Sequence, residues 1–237
     1  MTTRPCIAII PARGGSKGLP NKNVLSFAGL PLLAHSVRCA QMTNAVDRII
    51  VSTDSAEIAS IARLAGAEVP FLRPANLADD NTPMMPVVRH AIEALGCEVA
   101  TVLLLDPTSP GRLPQDIERA HKLLRDVSAD GVVAVSQPTF NPFWVGVTTD
   151  SGRLVPAFPD AGKFTRRQDV PAFFRINGSL YLWRCAYVQK TATRWSDAWL
   201  LPLEIPEARA FSIDTREEFD LAEHLVRSGR LHFPWLK

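Results

Sequence analysis

The sequence has almost no surplus of either charge. Its 237 residues carry 26 lysines and arginines against 24 aspartates and glutamates, a net charge of +2. No chain-wide field exists to draw in a nucleic acid polymer or an acidic membrane surface, so any strong positive field must be local. A membrane-length apolar run is missing as well. The apolar stretches, Val99–Leu105 among them, are far too short to cross a bilayer. Cysteine is scarce: Cys6, Cys39, Cys97 and Cys185 lie far apart, without CxxC spacing or a histidine pairing. That excludes a zinc site of the usual spacing, and reduced, mostly buried thiols in a cytoplasmic protein are the expectation. Between Met1 and the first apolar run there are too few residues for a signal peptide. Internal repeats and low-complexity tracts are absent. The histidines (His35, His90, His121, His224 and His232) fall mainly in helical patterns, with no nucleophile–base arrangement.

What is present is a rhythm. The composition, 46% hydrophobic and 21% charged, suits one large α/β domain or one such domain with a small appendage. Short β-branched runs alternate with helical patterns. Strands are expected at Ile7–Ile10, Arg48–Ser52, Glu68–Leu72, Ala100–Leu105 and Gly131–Val135. Helices are expected at Pro31–Ala40, Ala56–Ala65, Val87–Leu95 and Gln115–Leu124. The alternation predicts a parallel sheet with helices on both faces. The rhythm breaks near Ser136. From Thr139 to Phe174 the chain is rich in proline and aromatics, and Val145–Thr148 with Arg153–Pro156 reads as a hairpin. This stretch is expected to leave the main sheet and either cap the core or meet another subunit. Regular structure resumes at Ser179–Trp183. A last helix opens at a Thr215–Glu218 capping box and closes at Gly229.

The first loop carries the chemistry. In "IAIIPARGGSKGLPNKNV" (Ile7–Val24) a buried strand ends in a segment holding Arg13, Lys17 and Lys22, with Gly14, Gly15 and Gly18 between them. Ligands of open parallel sheets bind beyond the carboxyl ends of the strands. Glycines let the backbone approach a ligand closely, and a run of phosphates needs several donors and compensating cations. The loop therefore fits a polyphosphate. Neither GxxxxGK[ST] nor GxGxxG is present.

The loop also resembles the signature of the acylneuraminate cytidylyltransferases, the CMP-sialic acid synthetase family. Further matches follow in order. "RIIVSTDS" (Arg48–Ser55) resembles the family's second strand and turn, and "FLRPANLADDNTP" (Phe71–Pro83) its nucleotide-side segment. "LLLDPTSP" (Leu103–Pro110) resembles LLQPTSP, "RRQDVPAFFRINGSLY" (Arg166–Tyr181) the sugar-side segment, and "SIDTREEFD" (Ser212–Asp220) the metal-binding IDIDT segment. The resemblance implies a three-layer, mostly parallel α/β nucleotidyltransferase fold, Rossmann-like, spanning 1–138 and 176–237. It implies that 139–175 protrudes as a dimerisation and sugar-side segment of a homodimer. The implied reaction joins CTP to the anomeric hydroxyl of a sialic-acid-like 2-keto-3-deoxy sugar acid with Mg²⁺, releasing pyrophosphate.

By the same resemblance, Arg13, Lys22 and Asp214 are catalytic. The nucleotide falls to Ala12, Arg13, Gly14, Ser16, Lys17, Lys22, Asn23 and Arg73. Asp106, Arg166, Arg167, Gln168, Arg175 and Asn177 fall on the sugar side, with Arg175 the first choice for the sugar carboxylate because a planar guanidinium suits it. Two positions depart from the family pattern. Ser212 stands where a second aspartate is usual, and Asp106 stands where glutamine is usual. Asp106 is expected either to join Asp214 at the metal or to contact a different sugar. Asp54 is expected to cap the following helix. The alternatives are the same chemistry on a legionaminic- or pseudaminic-type acid, a shorter ulosonic acid or a phosphonate, or a nucleotide-binding relic that has lost catalysis.

Overall fold

The computed structural model describes residues 5–96, 98–190 and 197–236. Cys97 lies outside them; Cys6, Cys39 and Cys185 are free, buried thiols. Burial pushes the Cys6 and Cys39 thiols up to about 12, so they are inert.

The chain opens with β1 (Cys6–Pro11), buried along its whole length. A small ribbon of β2 (Ser26–Phe27) and β3 (Leu30–Pro31) leads into α1 (Leu32–Gln41). Then come β4 (Arg48–Ser52), α2 (Ala56–Leu64), α3 (Met84–Leu95), β5 (Thr101–Leu104), α4 (Pro114–Arg125) and β6 (Gly131–Ser136). The excursion holds a single helical turn, α5 (Pro142–Val145), and a hairpin of β7 (Val147–Asp150) and β8 (Arg153–Pro156). The chain returns through β9 (Arg175–Arg184), α6 (Cys185–Val188), β10 (Leu200–Glu204) and α7 (Arg216–Arg227).

The main sheet runs β10-β6-β9-β5-β1-β4. Every neighbouring pair is parallel except the two made by β9, which lies antiparallel between β5 and β6. Strand alternation sorts the core into two layers. Ala8 and Ile10 face α1, α2 and α4 through Leu33, Val37, Ile58, Ala62, Ile117 and Ala120. Ile7 and Ile9 face α3 and α6 through Val88, Ala91, Ile92 and Val188. A third cluster seats α7 on the β2–β3 ribbon, with Phe219 and Phe233 against Phe27. This is the three-layer, mostly parallel α/β sheet expected. From β1 the chain builds outward first to β4, then back past β1 to β5. That reversal places a crevice beyond the carboxyl ends of β1 and β5.

Two elements begin earlier than expected, α3 at Met84 rather than Val87 and β9 at Arg175 rather than Ser179, and three further elements differ. Glu68–Leu72 forms only one bridge, Ile50 to Glu68, because Pro70 cannot donate to a ladder. β10 carries Pro202 and for that reason reads poorly as a strand; it lies at the sheet edge, where proline is tolerated. The hairpin begins two residues later than expected, because Asn141 caps α5, accepting from the Phe143 amide at 3.0 Å, and α5 takes Pro142–Val145. Ser151 and Gly152, both at positive φ, make its two-residue turn. Among the described residues, no helix is long and apolar enough to cross a membrane.

Candidate active site

A cavity of about 400 Å³ opens in the crevice beyond β1. From the first loop it is lined by Arg13, Ser16, Lys17, Gly18, Lys22 and Asn23, and from elsewhere by Arg73, Met84, Asp106, Thr108, Ser212 and Asp214. The loop is shaped by contacts beneath it. The Ala12 amide donates to the Ser52 carbonyl at 3.0 Å and the Gly14 amide to Asp54 Oδ1 at 2.9 Å. Asn23 Nδ2 donates to the Arg13 carbonyl at 3.1 Å. Ala12 and Gly14 therefore differ from expectation: their amides are spent on the scaffold, and neither residue lines the cavity. Asp54 does not cap α2 either. Ser55 does, its Oγ accepting from the Ile58 amide at 3.3 Å, while Asp54 reaches across to the loop.

The cations meet carboxylates. Lys22 Nζ donates to Asp214 Oδ1 at 2.5 Å, and Arg13 and Lys17 both pair with Asp80. A chain of hydroxyls connects the two cavity aspartates. Thr108 Oγ1 donates to Asp106 Oδ1 at 3.0 Å, Ser212 Oγ lies 3.2 Å from Thr108 Oγ1, and Ser212 Oγ lies 2.7 Å from Asp214 Oδ2. Partial burial pushes the Asp214 carboxyl up, but hydrogen bonds from Lys22 and Ser212 outweigh it and hold Asp214 below its ordinary value. It is an anion at neutral pH.

The sequence profile of the family described as Cytidylyltransferase matches residues 7–232. The chain belongs to the cytidylyltransferase family. Its relatives include a post-translational flagellin modification protein B of Campylobacter coli, 32% identical over 95% of this chain and 96% of that one. They also include a CMP-N,N'-diacetyllegionaminic acid synthase of Legionella pneumophila, 33% identical over 93% of this chain and 95% of that one. In structure the chain is similar to a CMP:2-keto-3-deoxy-manno-octonic acid synthetase complexed with CTP, with a TM-score of 0.74, 17% identity, and coverage of 95% and 99%.

Beside the basic cavity this cytidylyltransferase has a second one, of about 360 Å³, lined by Met84, Met85, Tyr181, Trp183, Tyr187 and neighbouring aliphatic residues. Asp106 and Met84 line both, so the two spaces meet at the mouth of β5. The Tyr181 and Trp183 rings stack with centroids 5.2 Å apart.

The structure does not bring the sugar-side arginines into either cavity. Arg175 Nε donates to Glu207 Oε1 at 3.1 Å and its Nη2 to the Ala210 carbonyl at 2.5 Å. Arg166 pairs with Asp169 at 2.9 Å, and Arg167 Nη2 donates to the Thr139 carbonyl at 3.2 Å. Gln168 sits in the same short turn, Arg167–Asp169. Asn177 is buried at the irregularity between β6 and β9, its Oδ1 accepting from the Ser179 amide at 3.1 Å. Arg73 lines the basic cavity, yet its Nε donates to Ser52 Oγ at 3.1 Å and its Nη2 to the Ser52 carbonyl. It is as much an anchor for the chain after β4 as a ligand contact.

Sequence reasoning missed Arg112. It is fully buried, with Nε donating to the Ser179 carbonyl at 2.5 Å, Nη1 to Ser36 Oγ at 2.7 Å and Nη2 to the Asp106 carbonyl. A buried guanidinium needs all its donors satisfied. Here it ties the Asp106 turn to β9 and α1. Nothing local distinguishes it from a surface arginine after a turn, because two of its three acceptors, at Ser36 and Ser179, come from distant parts of the chain.

Proposed function

We propose that the protein transfers CMP from CTP to the anomeric hydroxyl of a sialic-acid-like 2-keto-3-deoxy sugar acid, with pyrophosphate as the leaving group. The observation that carries this is the convergence of Arg13, Lys17 and Lys22 with Asp106 and Asp214 on one cavity. In the reaction the sugar hydroxyl attacks the α-phosphorus and the bond to the β-phosphate oxygen breaks. Negative charge grows on the phosphate oxygens, and fixed cations in a shaped cleft stabilise that growth. Arg13, Lys17 and Lys22 take the phosphate oxygens, assisted by Ser16 and held in place by Asn23, while Arg73 and the backbone of residues 76–82 lie on the base side.

Two carboxylates, completed by phosphate oxygens and water, are a donor set that Mg²⁺ accepts. Asp214 and Asp106 supply them, bridged by Ser212 and Thr108. Among the described residues no cluster of three acidic, histidine or cysteine ligands forms, so the nucleotide itself would complete such a site. When bound there, Mg²⁺ neutralises phosphate charge. Ser212 fixes the rotamer of Asp214, while Lys22 balances its charge before nucleotide arrives.

The second cavity suits the acceptor. Its aromatic and methionine walls suit acyl-amino and deoxy substituents better than bare hydroxyls, which supports a diacylated acid of the legionaminic type as an acceptor to try first. The expected experiment measures pyrophosphate release from CTP and Mg²⁺ with a panel of keto-deoxy sugar acids, on the native chain and on Asp106→Asn. Release with a diacylated nine-carbon acid is expected, at a raised magnesium requirement in the variant. CTP binding without turnover on any acceptor would mark a relic, and an unchanged magnesium requirement would remove Asp106 from the metal.

The excursion completes the site by dimerisation in this reading. Phe140, Val145, Val147, Leu154 and Phe174 are exposed on it, and apolar side chains left outward on one segment support an interface there. Arg166, Arg167 and Gln168 would then act on the partner's acceptor, with Arg175 and Asn177 behind them. Sedimentation is expected to show a dimer of the 26.0 kDa chain; a monomer at micromolar concentration would remove that role.

A further inference from the structure

Arg13 and Lys17 hold an anion already. Arg13 Nη1 pairs with Asp80 Oδ1 and Lys17 Nζ with Asp80 Oδ2, so one carboxylate spans two cations with one oxygen on each. That is how a bridging phosphate oxygen pair would sit.

The loop that carries Asp80 is built to hold it there. Its base is fixed to β4, where the Arg73 amide donates to the Thr53 carbonyl at 2.7 Å and the Arg73 side chain binds Ser52. Past a short turn at Ala75–Leu77, the loop closes on itself. The Asn81 amide donates to Asp79 Oδ1 at 2.8 Å, the Thr82 amide to the Asp79 carbonyl at 3.2 Å, and Thr82 Oγ1 to the Asn76 carbonyl at 3.4 Å. Asp79 is thus spent inside the loop, while its neighbour Asp80 faces out towards the cations.

We propose that Asp80 is a built-in counter-anion, which occupies Arg13 and Lys17 between turnovers, yields them to the arriving triphosphate and returns to displace pyrophosphate. The proposal rests on the nucleotide reading of this loop.

Three like charges in one short loop repel one another, and the pairs with Asp80 and Asp214 offset two of the three in the absence of nucleotide. The two counter-anions differ in their surroundings. Asp214 is held by Ser212 as well as Lys22, and its backbone amide is bound by Glu218 at 2.8 Å. Asp80 rides on a surface loop, and its two ion pairs are open to solvent. Exposed pairs are weak, so a triphosphate with several charges can displace this one. The same competition opposes retention of the product, which has lost the nucleoside contacts. Hydrogen bonds from Lys17 and then from Arg13 hold the Asp80 carboxyl below its ordinary range, and Asp80 in turn holds Lys17 above its own. The pair is ionised throughout the neutral range.

The test compares Asp80→Asn with Asp79→Asn, which removes the same charge from the same loop but breaks no ion pair with Arg13 or Lys17. Inorganic pyrophosphate and CTP are titrated calorimetrically into each, and steady-state rates are measured. Asp80→Asn is expected to bind pyrophosphate about fivefold tighter, the scale of exposed ion pairs. The KM for CTP falls, and kcat falls too as pyrophosphate leaves more slowly. The difference shrinks in high salt, and Asp79→Asn changes far less. Equal pyrophosphate affinity in Asp80→Asn and the native chain, an equal gain in Asp79→Asn, or no pyrophosphate binding by either would overturn the proposal. A gain for pyrophosphate with no CTP binding by any form would uphold the counter-anion and overturn the nucleotide reading instead.

Discussion

Gly18 packs so closely on the chain around Asp214 that a methyl group there would lie 2.6 Å from the Asp214 carbonyl oxygen. Something must move, and the neighbour is backbone. Gly18→Ala is therefore expected to push the basic loop and the Asp214 segment apart. A displacement of about an ångström at a catalytic group costs on the order of a hundredfold, and kcat/KM for CTP is the readout. Gly15 has nothing within 4 Å of the same added atom, so Gly15→Ala is the matched control and should remain active. Equal activity of the two alanine variants would show that the loop tolerates the shift. From sequence, all three loop glycines read alike. Only the fold reveals that Gly18 is a point of contact and Gly15 is not. The charged residues were legible for the opposite reason: Arg13, Lys17 and Lys22 follow a strand directly, so their placement is local. Asp80 and Arg112 act on residues far away in the chain, and no local pattern announces that.

At the scale of elements, His35 joins α1 to the C-terminal segment. Its Nε2 lies 2.8 Å from the Phe27 carbonyl, and its Nδ1 accepts from Trp235 Nε1 at 3.0 Å. The neutral ring, with its proton on Nε2, satisfies both partners. A second proton on Nδ1 would face the indole N–H. Burial first, and then the nearby Arg112 charge, depress His35 to about 4, against a raising contribution from the Phe27 carbonyl. The unfolded chain, with an ordinary imidazole, takes up this proton at higher pH than the folded one. Stability contributed here is complete above about pH 6.5 and is lost as pH falls towards 4. Chemical denaturation at pH 5 is expected to show about 2 kcal/mol less stability than at pH 7, a loss that His35→Gln largely removes. The same fall in His35→Gln would place the sensitivity elsewhere. The elements themselves were mostly legible. Apolar periodicity marked α1, α2 and α4 to within a residue or two, and the Thr215–Glu218 box marked the start of α7, where the Glu218 amide donates to Thr215 Oγ1 at 3.3 Å. Propriety of local pattern failed at β10, where Pro202 hides an edge strand. It also failed at β9, whose antiparallel insertion between β5 and β6 is a fact of topology that no window of residues carries.

At the scale of the whole molecule, the near balance of charge is deceptive. The net charge is +2, yet three cations gather in one crevice, two aspartates lie across it, and the aromatic cavity continues from it. The layered sheet makes this possible by ending β1, β4 and β5 on one side, so that loops far apart in sequence meet. The excursion between β6 and β9 lies outside that sheet. Its Phe143 and Phe158 stack on each other with centroids 4.5 Å apart, which gives the hairpin a small core of its own and leaves other apolar side chains outward. In the proposed reaction the cations beyond β1 hold the phosphates of the nucleotide throughout. Pyrophosphate release from CTP, followed in the native chain and in the double variant Arg13→Gln/Lys22→Gln, tests it most directly. A loss of at least about a hundredfold is expected in the variant, with its fold intact by circular dichroism. Release at the native rate would contradict it.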